Sequence, residues 1–105
     1  MELACLGAGL AGHWGLDTLV RRELGPLAAD TDSAARLRET ALAYLGAGGD
    51  AKATGEELVV HPNTVRYRIR QAEQALGHGI DERRVYVELA LHAVRDLGVS
   101  PAAHP

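Results

Sequence analysis

Several residue types are scarce in this sequence, and each scarcity excludes a class of protein. The 105 residues include one cysteine, one tryptophan, three tyrosines and no phenylalanine. Because Cys5 has no second cysteine to pair with, an intramolecular disulfide is excluded and a reducing compartment is favoured. No apolar run is long enough for a membrane-spanning helix. The apolar residues 3–11 are too short for a secretory signal and follow Glu2 instead of basic residues, so we expect a cytoplasmic protein with no membrane partner.

Motifs for catalysis and metal binding are also missing. The five histidines are scattered and the single cysteine is distant from them, so they form no metal-ligand pattern. The glycine-rich residues 46–49 lack the Lys-Ser/Thr pair that completes a phosphate-binding loop. No grouping of serine, cysteine or carboxylates has the pattern of a catalytic centre. The sequence therefore predicts a protein that is not an enzyme and needs no cofactor or metal.

The composition favours one small helical domain with a local basic region. The chain is 47% hydrophobic, mostly through alanine, leucine and valine, which suits closely packed helices. Its net charge is −3, which argues against binding nucleic acid with the whole surface. Residues 59–76 nevertheless carry three arginines against Glu73, a net charge of +2, which leaves −5 for the rest.

The most informative stretch, residues 49–76, predicts two helices joined by a tight turn. Asp50 is a good N-cap, and a short helix over residues 51–58 follows it. Residues 59–61, Val-Val-His, do not continue the helical pattern. Pro62 is suited to the first position of the next helix, where its missing N–H has no cost, and it makes His61 extended.

The second of these helices, residues 62–76, has one apolar and one polar face. Apolar residues recur at helical spacing at Val65, Ile69, Ala72 and Leu76. Arg66 and Arg68 flank this stripe, and no acidic residue occurs from residue 59 to residue 72. The opposite face carries Asn63, Tyr67, Arg70, Gln71 and Gln74.

These side chains are the ones that major-groove recognition of DNA uses. Arginine forms bidentate bonds with guanine or phosphate, asparagine pairs with adenine, and hydroxyls reach phosphates. We expect His61 to be either a phosphate contact or only a turn residue before the proline. The predicted DNA-binding residues are His61, Asn63, Thr64, Arg66, Tyr67, Arg68 and Arg70.

The remaining chain predicts three further helices and no strand. They cover residues 16–24, from Asp32 or Ser33 to residue 45, and from an Asp81 cap to residue 97. The predicted organisation is an arm or short helix over residues 1–15, a DNA-binding domain over residues 16–98 and a frayed tail over residues 99–105. The predicted fold class is thus all-α, a compact bundle of about five helices.

The last helix has an apolar arc of about 200°, wider than the stripe of about 100° that a surface helix needs. Two explanations stay open: deeper burial beneath the N-terminal helix, or a subunit interface. Because helix-turn-helix domains commonly pair on two half-sites, we predict a homodimer through the last helix or the N-terminal segment. A charge at Val87 or Leu91 is then expected to give a folded monomer.

At residues 60–69, Val-His-Pro-Asn-Thr-Val-Arg-Tyr-Arg-Ile, the sequence resembles the C-terminal helix-turn-helix domain of PucR/CdaR-type bacterial transcription regulators. Residues 21–27, 42–50 and 81–97 resemble that family's lead-in helix, first helix and closing helix, so the resemblance spans about residues 17–98. Gly55 departs from it, because the family usually has alanine there.

The resemblance implies a Fis-like helical fold and a sequence-specific DNA-binding domain that reads the major groove of double-stranded DNA with helix 62–76. It also implies association with the nucleoid and a separate effector-sensing domain absent from this chain. The alternative is a protein-interaction or assembly module that keeps the helix-turn-helix shape without binding DNA. The acidic net charge and the wide apolar arc of the last helix favour that alternative.

Overall fold

Five α-helices and one 3-10 helix make up the described part of the chain. The computed structural model describes residues 10–98, with side chains from residue 15 onward, and contains no strand there. The helices are α1 (Leu10–Leu24), a 3-10 helix (Gly25–Ala28), α2 (Asp32–Gly46), α3 (Ala51–Leu58), α4 (Pro62–Leu76) and α5 (Arg84–Leu97). The predicted all-α bundle of about five helices is confirmed. The predictions for residues 1–9 and for the tail, residues 99–105, lie outside the described residues.

A short connection with buried residues joins α1 to α2. The helix begins at Leu10, six residues before the predicted start, and Gly25, with φ of 53°, leads into the 3-10 helix. Leu27 is buried in this connection. The Arg38 side chain fixes the connection from α2 by donating hydrogen bonds of 2.9 Å to the carbonyls of Leu27 and Ala29.

The N-cap of α2 differs by one residue from the prediction. Thr31, not Asp32 or Ser33, is the cap, and its Oγ1 accepts a hydrogen bond of 3.1 Å from the Ala34 N–H. Asp32 is instead an acidic residue in the first turn, where its negative charge interacts favourably with the positive end of the helix dipole.

The apolar core lies between two helix layers. α1 packs mainly on α5, whereas α2 and α3 pack mainly on α4. The side chains that fill the space between them are nearly inaccessible to water: Val20, Leu24, Leu27, Ala41, Leu45, Val65, Ile69, Ala72, Ile80, Val87, Ala90 and Leu91. Each fully buried leucine or valine contributes about 1.5–3 kcal/mol relative to an exposed one.

The apolar arc of α5 is divided between core and surface. Val87 and Leu91 are at most 1% exposed, which contradicts their predicted place at a subunit interface, so a charge at either position is now expected to unfold the domain. Other residues of the arc stay exposed: Val85 at 71% and Leu89 at 48% on the outer side, and Leu97 at 65% at the C-terminal end. Burial therefore explains one part of the wide arc, and the other part is exposed to solvent.

The start of α5 also differs from the prediction. The helix begins at Arg84, and its N-cap position, Arg83, makes no side-chain cap. Ahead of it, the Gly79 N–H donates to Glu82 Oε2 and the Ile80 N–H donates to Glu73 Oε2, both at 2.8 Å. These bonds hold Ile80 in the core, so residues up to Arg83 form turns and Asp81 is not the cap.

An ion pair between a buried carboxylate and a half-exposed arginine joins α1 to the residue that precedes α5. The Glu23 side chain on α1 is 2% exposed, and Arg83 donates to both of its carboxylate oxygens at 2.9 Å. The Arg83 guanidinium also lies 4.7 Å from the centroid of the Tyr86 ring. Hydrogen bonding from Arg83 holds the pKa of Glu23 below its usual value, although burial alone would raise it.

Candidate nucleic-acid interface

The helix-turn-helix consists of α3, a three-residue turn and α4, with the predicted bounds. Asp50 caps α3 as predicted, because its Oδ1 accepts hydrogen bonds from the N–H groups of Lys52 at 2.9 Å and Ala53 at 3.1 Å. Thr54 is fully buried and donates its hydroxyl proton to the Asp50 carbonyl at 2.8 Å. The first helix is thus fixed at its N-terminus by side chains from its own turn.

The turn brings two backbone segments into close contact at Gly55. A Cβ added there would lie 2.5 Å from the Val60 carbonyl oxygen and 3.4 Å from the Pro62 nitrogen. The Val60 N–H also donates to the Gly55 carbonyl at 2.9 Å, the bond that closes a Schellman-type helix end. This close contact leaves no room for a Cβ at position 55, where the chain has glycine.

Val59, which lies between Gly55 and Val60 in this turn, has a left-handed backbone. Its φ is 59° and its ψ is 49°, and its side chain points to solvent with 87% exposure. A β-branched residue is rare in this conformation because its Cβ crowds the backbone.

The start of α4 is fixed by His61 and Pro62. His61 is extended, with φ of −66° and ψ of 144°, and its Nδ1 accepts a hydrogen bond of 3.0 Å from the Asn63 N–H. Pro62 is the first helical residue, as predicted. His61 is therefore a capping residue as well as an exposed one, and its outer nitrogen, Nε2, remains available to a ligand.

The two faces of α4 are as predicted. Val65, Ile69 and Ala72 are buried against α2 and α3. The opposite face is open to solvent, and Tyr67 is 53% exposed. The exposed side chains of that face and its edge are Asn63, Arg66, Tyr67, Arg70, Gln71 and Gln74.

Asn63 and Arg66 form a hydrogen-bonded pair on the first turn of α4. Arg66 donates from its Nη1 to Asn63 Oδ1 at 2.7 Å, and both residues are exposed. An asparagine that pairs with adenine uses both its amide oxygen and its amide nitrogen. Arg66 must therefore share or release this oxygen if Asn63 reads an adenine.

Arg68 and Thr64 occupy a different position from the other predicted site residues. Arg68 is half-buried, and its Nη1 lies 3.4 Å from Oγ1 of the buried Thr40 on α2. Thr64 is also half-buried on the same side of α4. The structure thus groups Asn63, Arg66, Tyr67 and Arg70 on the open side, while Arg68 links α4 to α2.

The α4 arginines differ from most arginines elsewhere in their partners. In residues 15–98, Arg66, Arg68 and Arg70 make no ion pair with a carboxylate, and Arg70 makes no hydrogen bond either. Glu73, the nearest acid on the helix, instead accepts the Ile80 N–H. Guanidinium groups without an internal carboxylate are available to an external anion such as a phosphate.

Two exposed polar residues and one backbone conformation near this surface were not part of the predicted site. Gln71 lies on the open face of α4, and Lys52 is exposed on α3. Helical periodicity places Gln71 there, whereas no sequence pattern indicates the left-handed backbone of Val59.

Across the described part of the chain, no group of three or more metal-ligating side chains occurs. None of the helices described is both long enough and apolar enough to cross a bilayer.

Comparison with known protein families identifies a family whose model matches this chain. The model of the PucR C-terminal helix-turn-helix domain matches residues 37–93, from α2 through most of α5. The chain belongs to this family. The PucR-type domain is a DNA-binding regulatory domain in general terms, and domains of this type are typically not enzymes.

Known relatives of this PucR-type domain are longer proteins. An uncharacterised protein of Haemophilus influenzae is 39% identical over 76 residues, which are 72% of this chain and 20% of the relative. Another, from Thermomonospora curvata, is 37% identical over 78 residues, 72% of this chain and 43% of the relative. An uncharacterised protein of Mycobacterium tuberculosis is 46% identical over 46 residues, 44% of this chain and 11% of the relative. The chain thus spans less than half the length of these relatives. No solved structure matches it.

Proposed function

We propose that this chain is the sequence-specific DNA-binding domain of a bacterial transcription regulator and that α4 reads the major groove. The observation that carries the proposal is the open face of α4. There, exposed Asn63, Tyr67 and Arg70 stand beside arginines that have no carboxylate partner in residues 15–98. A helix with a buried apolar stripe and such a polar face fits the groove of B-form DNA.

The predicted site residues divide into two roles in this proposal. Asn63 and Arg70 are base-reading residues, since asparagine and arginine form bidentate bonds with adenine and guanine. Arg66, Tyr67 and Thr64 bind phosphates, together with the Nε2–H of His61. Arg68 also contributes a phosphate contact, but a weaker one, because its guanidinium already lies near Thr40.

The exposed part of α5 supports a homodimer in the same proposal. Val85 and Leu89, one helical turn apart, form a short apolar stripe on the outer side of α5, and Leu97 is exposed at its C-terminal end; all three lie on a different helix from the DNA-reading face. In a two-fold dimer the same stripe from each copy would be covered. Such a dimer would read two half-sites about 34–36 Å apart, as paired helix-turn-helix domains do.

The same apolar stripe is the observation that favours the alternative function, an assembly module that does not bind DNA. The two functions differ in what the arginines of α4 do. An assembly module has no use for them, and their replacement would leave self-association and partner binding unchanged. Cytoplasmic location, association with the nucleoid and an effector sensed by a separate domain complete the proposal.

The decisive experiment is a selection of bound sequences from a random double-stranded DNA pool, followed by binding titrations with the selected DNA and with unrelated DNA. We expect a recurring motif and a binding constant that falls with rising salt. Asn63→Ala and Arg70→Ala should lose discrimination between the two DNAs by about tenfold or more. If folded protein retards no DNA at low or moderate salt, the assembly function replaces the proposed one.

Self-association is tested separately by light scattering at several protein concentrations. Leu89→Glu changes the exposed stripe of α5, and Thr18→Glu is a matched control on an exposed position of α1. We expect the parent and the control to be dimers and Leu89→Glu to be a folded monomer that binds a two-half-site DNA more weakly. A parent that stays monomeric at high concentration contradicts the dimer.

A further inference from the structure

Val59, in the turn of the helix-turn-helix, has a backbone conformation that its side chain disfavours. It is the one non-glycine residue with positive φ in residues 10–98. The other positive-φ positions there are all glycines, including Gly77 and Gly98, which end α4 and α5 in the same left-handed manner. A glycine or asparagine would adopt this conformation more readily than a β-branched residue.

The fold makes no use of the Val59 side chain that would compensate for this. The side chain is 87% exposed, so it adds almost nothing to the core. The backbone conformation itself is imposed by the turn, through the Val60 N–H bond to the Gly55 carbonyl and the close contact at Gly55. Unfavourable backbone conformations persist only where the surrounding structure imposes them, and they cluster at binding sites.

The position of Val59 indicates what it would meet. It lies two residues before His61, which caps the N-terminus of α4. The N-terminal residues of a recognition helix are the ones that approach the base edges. In the major groove, the one apolar group that a base presents is the 5-methyl group of thymine, and apolar side chains contact it.

We propose that Val59 is a specificity-determining residue that contacts a thymine methyl group at the edge of the DNA site. This inference rests on the proposed function and adds an apolar contact to the polar ones of α4. The deoxyribose is the other apolar surface that DNA offers near this turn. A sugar contact would be independent of sequence, so the two can be separated by experiment.

The test is a double-mutant cycle between the protein and the selected DNA. On the protein side, Val59→Gly removes the side chain, and Val59→Asn removes its apolar surface while keeping a residue that tolerates the left-handed conformation. On the DNA side, each thymine of the site is replaced in turn by deoxyuridine, which lacks only the methyl group. Binding constants are measured for every combination, and melting temperatures are measured for each protein.

We expect both variants to melt at a higher temperature than the parent, because the strain is relieved. We also expect both to bind the selected DNA roughly three- to tenfold more weakly. At one thymine, replacement by deoxyuridine should weaken DNA binding by the parent by a similar factor. It should leave DNA binding by the two variants unchanged.

Three results would overturn the inference. Variants that bind as tightly as the parent would show that the side chain does not touch the DNA. If the variants bind more weakly than the parent by the same factor on every DNA, with or without a replaced thymine, the contact is with deoxyribose. An absence of any DNA binding by the parent would remove the proposed function first, and this inference with it.

Discussion

The helices α4 and α5 are alike in length but differ in what their arginines contact. Around α5, Arg83 binds Glu23, Arg84 lies 3.3 Å from Glu88, and Arg95 lies 2.6 Å from Asp96. The arginines of α4 have no carboxylate partner in the described residues. Net charge already distinguishes the two helices, since residues 62–76 carry three arginines against one acid, whereas residues 84–97 carry two arginines against two acids. The structure adds that both arginines of α5 have a carboxylate partner, whereas those of α4 have none in the described residues and are available to an external anion.

The exposed faces of the two helices also differ in kind. The open face of α4 is polar, whereas α5 exposes Val85, Leu89 and Leu97. A polar, arginine-containing face suits DNA, and an apolar face suits another protein surface. The two faces therefore favour DNA as the partner of α4 and a second protein chain as the partner of α5. Substitutions that change one helix at a time can test each of these two assignments.

The largest effect is expected from a charge on the inner face of α5. Val87→Glu would bury a carboxylate without a partner where the side chain is fully inaccessible, and such burial costs several kcal/mol. We expect the variant to be unfolded by circular dichroism. Leu89→Glu, two residues further on, is the control and should remain folded because Leu89 is 48% exposed. If Val87→Glu folds normally, α5 does not pack as described.

The next largest effect is expected on DNA affinity. Arg66→Ala combined with Arg70→Ala should weaken binding at moderate salt by at least about tenfold and reduce the salt slope by about one unit for each phosphate that is no longer bound. The control is Arg21→Ala combined with Arg95→Ala, which removes two exposed arginines that already have carboxylate partners. Equal reductions in affinity for the two double variants would mean that only net charge matters, and the difference between the arginines of α4 and α5 would have no bearing on DNA binding.

A smaller effect is expected when a methyl group is added at the turn. Gly55→Ala places a Cβ 2.5 Å from a backbone oxygen, and overpacking of this kind typically costs about 1–3 kcal/mol. Gly15→Ala in α1 is the matched control, because a Cβ there meets no atom within 4 Å. It should stabilise the fold by about 0.5–1 kcal/mol. Denaturant titration measures both, and the same sign for the two variants would contradict the close contact.

The most subtle effect is a change in pH dependence. The pKa of Glu23 is lowered in the folded state by hydrogen bonding to Arg83, so its contribution to stability is present above the unfolded value of 4.5. That contribution is lost as pH falls through the lower folded pKa. Arg83→Met should therefore reduce the melting temperature most at neutral pH and progressively less below about pH 4.5.

The control for this prediction is Arg95→Met, which breaks an exposed pair with Asp96. Exposed pairs contribute little to stability, so its melting temperature should stay close to that of the parent across the pH range. A constant difference between Arg83→Met and the parent down to acidic pH would show that the carboxylate of Glu23 is not the group responsible.

Local signals in the sequence were sufficient to predict the helix-turn-helix. Asp50 caps α3 through its own side chain, and Pro62 begins α4 and Gly77 ends it through their own backbone geometry. The exposed face of α4 follows from helical spacing. The all-α class and the family resemblance were confirmed, whereas the DNA contacts of individual residues remain predictions.

Features that depend on distant residues were not predictable in this way. The start of α5 was misplaced because Ile80 is held by Glu73, seven residues earlier, and enters the core as part of a turn. Burial of Glu23 depends on a partner 60 residues away. The division of the α5 arc between core and surface depends on how far α1 covers it, which no pattern within α5 shows.

The separation between Glu23 and Arg83 has a consequence for how the domain assembles in time. Closing a loop of this length costs more chain entropy than forming the local contacts of α2, α3 and α4. Contacts between residues close in sequence generally form early, and distant ones form later. We therefore expect the central helices to form the folding nucleus and the ion pair to form after the rate-limiting step. Arg83→Met should then accelerate unfolding while leaving the refolding rate nearly unchanged in stopped-flow measurements.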